Sequence, residues 1–297
     1  MRTACDSTLP KALSQSYALI DTHTHFDEPM FAADRKVLAS KALAAGVQHL
    51  VLVGYLQSHF ERMQQVAETL NDLARQNQSP KAHLALGLHP FYIEQHSQDH
   101  LDDLADRLNE SRPLAIGEIG LDTFTNALKQ DAVFAKQQRF FDAQLDLAVQ
   151  HQLPVMLHIR KAHAKALAML KSHDFEAKKL GGIAHSFSGG EQEAKAFVKL
   201  GFKLGVTGQV SNPNAKKLRR AITAAVDEFG LSSLVIETDC PDMTPVMCQA
   251  HDSCGNAPPN VPANLLWVLF SLSELLNVAP DDLAEQLWQN TKETLQL

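Results

Sequence analysis

The chain has 297 residues, 45% of them hydrophobic and 21% charged, with a formal net charge of −7 from 27 Lys and Arg against 34 Asp and Glu. That length accommodates an α/β barrel as one domain, and the acidic balance argues against a protein that wraps a nucleic-acid duplex with a basic face. No apolar run is long enough to span a bilayer, and no fixed-period repeat or low-complexity tract is present.

Residues 1–16 are polar and mixed, without the basic start, apolar centre and small-residue cleavage site of a secretory signal. They read as a poorly ordered lead-in to a single domain over 17–297. Beyond them, short apolar runs alternate with amphipathic helical segments, the pattern of βαβ units around a parallel sheet. Strands are expected near 18–23, 47–53, 82–88, 113–118, 154–158, 181–185, 202–206 and 233–237. Helices are expected near 31–46, 57–76, 99–110, 131–151, 161–173, 190–200, 214–229 and 262–276, with a C-terminal helix near 280–296 packed outside. The strands are rich in Leu, Ile and Val without clean polar alternation, as when both faces are covered. Asp281 is expected to cap the last helix and Gly201 to end the helix before Phe202. The fold class is therefore a (β/α)8 TIM barrel; a doubly wound open sheet is disfavoured because His23-Thr24-His25, not a glycine-rich phosphate loop, follows the first strand.

In such a barrel, side chains at the carboxyl ends of different strands converge on one open face. His23 and His25, spaced i, i+2 on an extended backbone, point to the same side and can reach one metal ion. By itself that signal is weak. It gains weight because Glu118, His158, His185 and Asp239 each fall where a later apolar run stops. Four histidines and two carboxylates exceed the needs of one tetrahedral zinc and suit two divalent ions sharing a bridging ligand, for which Glu118 is the natural choice. His23, His25 and Asp239 would complete one ion, with His158 and His185 on the other. Glu118 inside Ile116-Gly117-Glu118-Ile119-Gly120 would be a costly buried charge unless something positive met it. Glu237 reads as support for the ligands, and His49, His59, His83, His96, His100, His151, His163, His173 and His251 read as ordinary surface or core residues.

Six ordered motifs then carry a resemblance. Asp21-Thr22-His23-Thr24-His25, Gly87-Leu88-His89-Pro90, Gly117-Glu118-Ile119-Gly120-Leu121-Asp122, Pro154 to Arg160, His185-Ser186-Phe187-Ser188-Gly189 and Glu237-Thr238-Asp239-Cys240-Pro241 resemble the TatD family of metal-dependent deoxyribonucleases, in its YjjV-like branch, from about residue 18 to the end. The resemblance implies an amidohydrolase-like barrel, a two-metal site and magnesium-dependent hydrolysis of DNA, often as a 3′→5′ exonuclease. It assigns metal contacts to the six residues already singled out. The chain departs from many relatives at Thr123-Phe124, where a tyrosine is usual, and at Gly255, where a basic residue is usual; both positions lie on loops that could touch substrate.

The expected activity is hydrolysis of a phosphodiester by a metal-activated water, with Asp239 as general base and His89 and Arg160 on the phosphate or leaving group. Pro90 could equally make His89 part of a structural turn, and Arg160 could instead pair with a carboxylate and brace the rim. The implied cofactors are two divalent metal ions, magnesium or manganese for activity and zinc, nickel or iron as alternatives. The implied partners are DNA ends or short single-stranded nucleic acid, with no membrane and no obligate protein partner. A carboxylic ester, a lactone or an aminoacyl-tRNA ester would suit the same site, and a non-catalytic metal-binding protein is the third reading. Cys5, Cys240, Cys248 and Cys254 have no paired C-x-x-C spacing, so free thiols and the cytoplasm are expected.

Overall fold

The computed structural model describes residues 17–249 and 258–297. The expected lead-in 1–16, and with it Cys5, lies outside the described residues, as do His251, Cys254 and Gly255.

Eight parallel strands follow one another in sheet order as in sequence order, β1 to β8. They are β1 (Leu19–Thr24), β2 (Val47–Val53), β3 (Lys81–Leu86), β4 (Ala115–Asp122), β5 (Val155–Arg160), β6 (Gly182–Ala184), β7 (Lys203–Val206) and β8 (Leu234–Ile236). The sheet comes round on itself just past β8, where Asp239 N donates to the His23 carbonyl and His25 N to the Cys240 carbonyl, each at 2.9 Å. Buried Asp21 fastens the same seam: its Oδ2 accepts from Thr238 Oγ1 at 2.5 Å and its Oδ1 from Thr238 N at 2.8 Å. Burial pushes the Asp21 carboxyl up to about 8.

The helices lie outside the strands: α1 (Arg35–Ala44), α2 (Phe60–Ala74), α3 (Gln98–Glu110), α4 (Asp131–His151), α5 (His163–Ser172), α6 (Ala177–Leu180), α7 (Glu191–Leu200), α8 (Lys216–Phe229), α9 (Leu265–Leu276) and α10 (Pro280–Leu295). Val51, Val53, Ala85, Ala115, Met156, Ile183 and Val235 fill the barrel interior, and Leu295 of α10 plugs its amino-terminal end. A larger apolar layer between strands and helices makes the second core. Among the described residues no single helix is long and apolar enough to cross a membrane.

The expected strands and helices all form, and α6 is an additional short helix. Strand β4 runs four residues beyond its expected end because its glycines permit a bulge rather than a stop. Its register against β5 shifts between Ile116 and Ile119, and Gly120 has φ +142°, where a Cβ would meet the His158 carbonyl oxygen at 2.1 Å. Asp281 does not cap α10: Ala279 takes the cap position and Pro280, which needs no N–H partner, the first helical one, which moves Asp281 into the first turn. A 3-10 segment, Pro90–Gln95, follows His89 where no element was expected. Gly201 ends α7 as expected, with φ +108°.

Helix α4 contributes two buried glutamines that act as main-chain partners. Gln144 accepts from Leu88 N at 2.7 Å and donates to Leu88 O at 3.3 Å. Gln137 does the same for Asp122, at 2.8 and 3.0 Å. Each side-chain amide thus satisfies both main-chain polar groups of one residue near a strand end. Replacing Gln144 by Leu leaves the buried N–H and carbonyl of Leu88 without partners, and a loss of about 2–4 kcal/mol is expected; urea unfolding of the two proteins checks it.

Candidate metal centre at the barrel mouth

All six expected ligands, and His89 with them, meet at the carboxyl ends of the strands. Glu118 lies at the middle of the group and is only 2% exposed. Its two oxygens face opposite ways. Oε2 lies 3.3 Å from His23 Nε2 and 3.9 Å from His25 Nε2. Oε1 lies 2.8 Å from His158 Nδ1, 3.3 Å from His89 Nε2 and 3.7 Å from His185 Nε2. Asp239 closes the other side, with Oδ1 3.8 Å from His23 Nε2 and 3.7 Å from His25 Nε2, and Oδ2 3.5 Å from His185 Nε2. Ligand bonds near 2.1 Å place donor atoms on one ion about 3.0–3.5 Å apart, close to these separations, so the residues fit divalent metal.

The far nitrogen of each imidazole decides what the near one offers. His25 Nδ1 lies 3.0 Å from the Val53 carbonyl, so it carries the proton and leaves a lone pair on Nε2, facing the site. Burial would lower the His185 pKa, but Glu237, whose Oε1 lies 2.9 Å from Nδ1, together with Asp239 and Glu118 raises it well above its ordinary value, so in metal-free protein this ring is protonated. Glu237 is itself fixed by Thr22 Oγ1 at 3.0 Å and Ser186 N at 2.5 Å. It has room because position 205 is glycine, where a Cβ would sit 2.4 Å from its Oε1. His158 Nε2 is held by Asp122 Oδ2 at 3.0 Å, which turns Nδ1 towards Glu118.

His89 is the exception. Its Nδ1 accepts from the backbone N–H of Phe91 at 2.9 Å, so the neutral ring carries its proton on Nε2, which points at Glu118. Burial, with His158 nearby, lowers its pKa to about 4 and keeps the ring neutral. His89 therefore presents an N–H to the centre where His25 presents a lone pair. Close donor-atom groups nevertheless include His89, Glu118 and His158 alongside His23, His25 and Asp239, and His23, His185 and Glu237.

Electrostatics follow the same geometry. Burial would raise the Glu118 carboxyl, but His89, His185 and His23 and the bond to His158 hold it well below its ordinary value. Asp239 is likewise held down, against burial, mainly by His185. Burial would lower His158, yet Asp122 and Glu118 together lift it to about 9. Asp122 was not singled out among the candidates. It shares a strand face with Glu118 and Gly120, and the clue lay in continuing the alternate-residue count past Gly120.

Above the centre opens a cleft of about 710 Å³ walled by Tyr55, Phe91, Tyr92, Arg160, Gln209 and Met243, with Glu28 and Asp242 also on its lining. Tyr55 donates to Glu28 at 2.5 Å, and Arg62 binds Glu28 and buried Asp27 at 3.0 and 2.8 Å. Among the described residues no carboxylate pairs with Arg160; its guanidinium carbon lies 3.5 Å from the centre of the Phe124 ring.

A parallel TIM barrel with histidine and carboxylate donors gathered at its carboxyl end is the layout of a metal-dependent hydrolase. Within that class the chain belongs to the TatD related DNase family, whose profile matches residues 20–296. It is 38% identical over 275 residues to the uncharacterized metal-dependent hydrolase YjjV of Escherichia coli strain K12, covering 92% of this chain and 95% of the relative. The crystal structure of Escherichia coli YjjV superposes with a TM-score of 0.80 at 36% identity, over 94% of this chain and 98% of that one. A Pantoea protein named 3′-5′ ssDNA/RNA exonuclease TatD is 28% identical over 280 residues, covering 94% of this chain and 100% of its own length.

A metal ion needs the imidazole unprotonated, so metal and proton compete at His158. In metal-free protein its folded pKa, about 9, exceeds the unfolded value of about 6.5. Its stabilising contribution is then complete below about pH 6.5 and is lost as the pH climbs through about 9. Manganese affinity should do the reverse, rising at least about tenfold per pH unit from about pH 7 to about pH 9, and more steeply where His185, raised as well, also sheds a proton. Chelator competition across that range measures it, and a flat profile would remove His158 from the ligands.

Proposed function

We propose that the protein is a two-metal phosphodiesterase of the deoxyribonuclease type, acting on DNA ends or short single-stranded nucleic acid with 3′→5′ polarity. The observation that carries the reading is the splayed Glu118 carboxylate, one oxygen towards His23 and His25 and the other towards His158 and His185. On this reading His23, His25 and Asp239 hold one divalent ion, His158 and His185 the other, and Glu118 both. The family membership and the exonuclease name of the Pantoea relative support the choice of substrate. Bound there, the ions would supply Lewis-acid charge and a water acidic enough to attack at neutral pH.

The chain's own residues do the rest. Asp239, held ionised by the imidazoles beside it, accepts the proton of the attacking water. His89 donates its Nε2–H to an oxygen of the phosphate or of the leaving group, and being neutral it does so without repelling the metals. Glu237, Asp122 and the Val53 carbonyl keep the ligand rings turned the right way.

The test is cleavage of end-labelled single-stranded DNA by chelator-stripped protein with magnesium, manganese or zinc restored. Metal-dependent shortening from the 3′ end is expected, abolished in Glu118→Ala and slowed about a hundredfold in kcat by His89→Ala, the cost of losing one aimed donor. Faster turnover of aryl esters or of aminoacyl-tRNA than of DNA would overturn the assignment in favour of a carboxylic ester substrate.

A further inference from the structure

Among the described residues Arg160 is the only lysine or arginine on the lining of the cleft, where Glu28 and Asp242 are acidic. Its side chain is exposed, and no described group accepts a hydrogen bond from its guanidinium. It is not idle, because Phe124 fixes its plane at 3.5 Å. Phe124 is 44% exposed, and Lys161 Nζ lies 4.6 Å from the same ring.

Several bonds fix this arrangement. Thr123 N donates to the Arg160 carbonyl at 3.0 Å, and Thr123 Oγ1 to the Lys161 carbonyl at 2.9 Å. Phe124 N donates to Asp122 Oδ1 at 2.6 Å, and Lys161 takes φ +56° at the end of β5. An unpaired planar fork of donors, held by an aromatic face at the edge of a cleft, is suited to an oxyanion.

Position says which one. Arg160 stands two residues beyond His158 on β5, so both point into the cleft, about 6.6 Å apart along the strand. That step is comparable with the spacing of successive phosphates along an unwound polynucleotide. We infer that Arg160, stacked on Phe124 and backed by Lys161, forms a subsite for the phosphate that flanks the scissile one, with Phe124 as the positioning residue for Arg160. The inference rests on the phosphodiesterase reading for its substrate class. It also gives the chain a direction of approach, over the β4–β5 rim and away from Glu28 and Asp242.

The test pairs binding with turnover. Chelator-stripped protein is titrated with fluorescein-labelled hexathymidylate across a salt series, and metal-loaded protein is assayed on the same oligonucleotide and on bis(p-nitrophenyl) phosphate, which has no flanking phosphate. Arg160→Ala should weaken oligonucleotide binding roughly tenfold and flatten the logarithmic salt slope by about 0.7. Phe124→Leu, which keeps the bulk and removes the π face, should weaken it about threefold, with Phe124→Tyr restoring it. In the double variant the leucine should add nothing to the loss from Arg160→Ala. In turnover, both losses should fall on KM and be larger for the oligonucleotide than for the small diester.

An unchanged salt slope in Arg160→Ala, or equal losses on the two substrates, would overturn the subsite while leaving DNA cleavage intact. Arg160-dependent binding without cleavage under any metal would instead sink the phosphodiesterase reading and keep the subsite. Absence of both binding and cleavage would remove both.

Discussion

A carboxylate buried at the head of an apolar barrel is the constraint around which this molecule is arranged. Glu118 sits above an interior of Val, Ala, Met and Ile side chains, where an isolated negative charge would be driven to take up a proton. It stays ionised because His23, His89, His158 and His185 surround it. Those imidazoles arrive on four different strand ends or the loops just beyond them, so the charge can be accommodated only when the barrel has closed. The seam between β1 and the segment after β8 brings Asp239 against His23, and Asp21 underneath holds that seam. Fold and site are thus mutually dependent: the barrel gathers the imidazoles, and they keep the carboxylate from destabilising the barrel mouth.

A second division of labour runs outward from the ring nitrogens. Val53 O takes the outer proton of His25, Glu237 and Asp122 lie against the outer nitrogens of His185 and His158, and Phe91 N donates to the outer nitrogen of His89. One residue type consequently presents two opposite faces to the same cavity, a lone pair or an N–H, according to a single main-chain or carboxylate contact. The difference suits three rings to cation binding and one to an anionic oxygen.

Much of this was legible in the chain. Strand ends fall where apolar runs meet His or acidic residues, because a side chain at the carboxyl end of a barrel strand has nowhere to go but the mouth. The convergence of His23, His25, Glu118, His158, His185 and Asp239 followed from that rule alone. What escaped were features that depend on three-dimensional contact. The fourth strand was expected to end at residue 118, whereas the close approach of Gly120 to His158 O lets β4 continue as a bulge and carry Asp122 under His158. The tautomer of His89 is set by the N–H of its own loop, which no spacing reveals. Asp281 resembled a cap, but the proline before it had already started the helix. Arg160 offered two readings, phosphate contact or rim brace, and the ring of Phe124 beneath it is a third kind of partner.

The two glutamines of α4 have a consequence for how such a mouth can change. Gln144 and Gln137 grip Leu88 and Asp122 by main-chain N–H and carbonyl alone, which makes the grip indifferent to the side chains on the residues that follow. A side-chain change at Thr123-Phe124 or Phe91 therefore leaves the main chain next to it where the helix puts it. A splint of this kind uncouples the metal-facing main chain from the side chains that face substrate, so a change in what the rim touches need not displace what the centre holds.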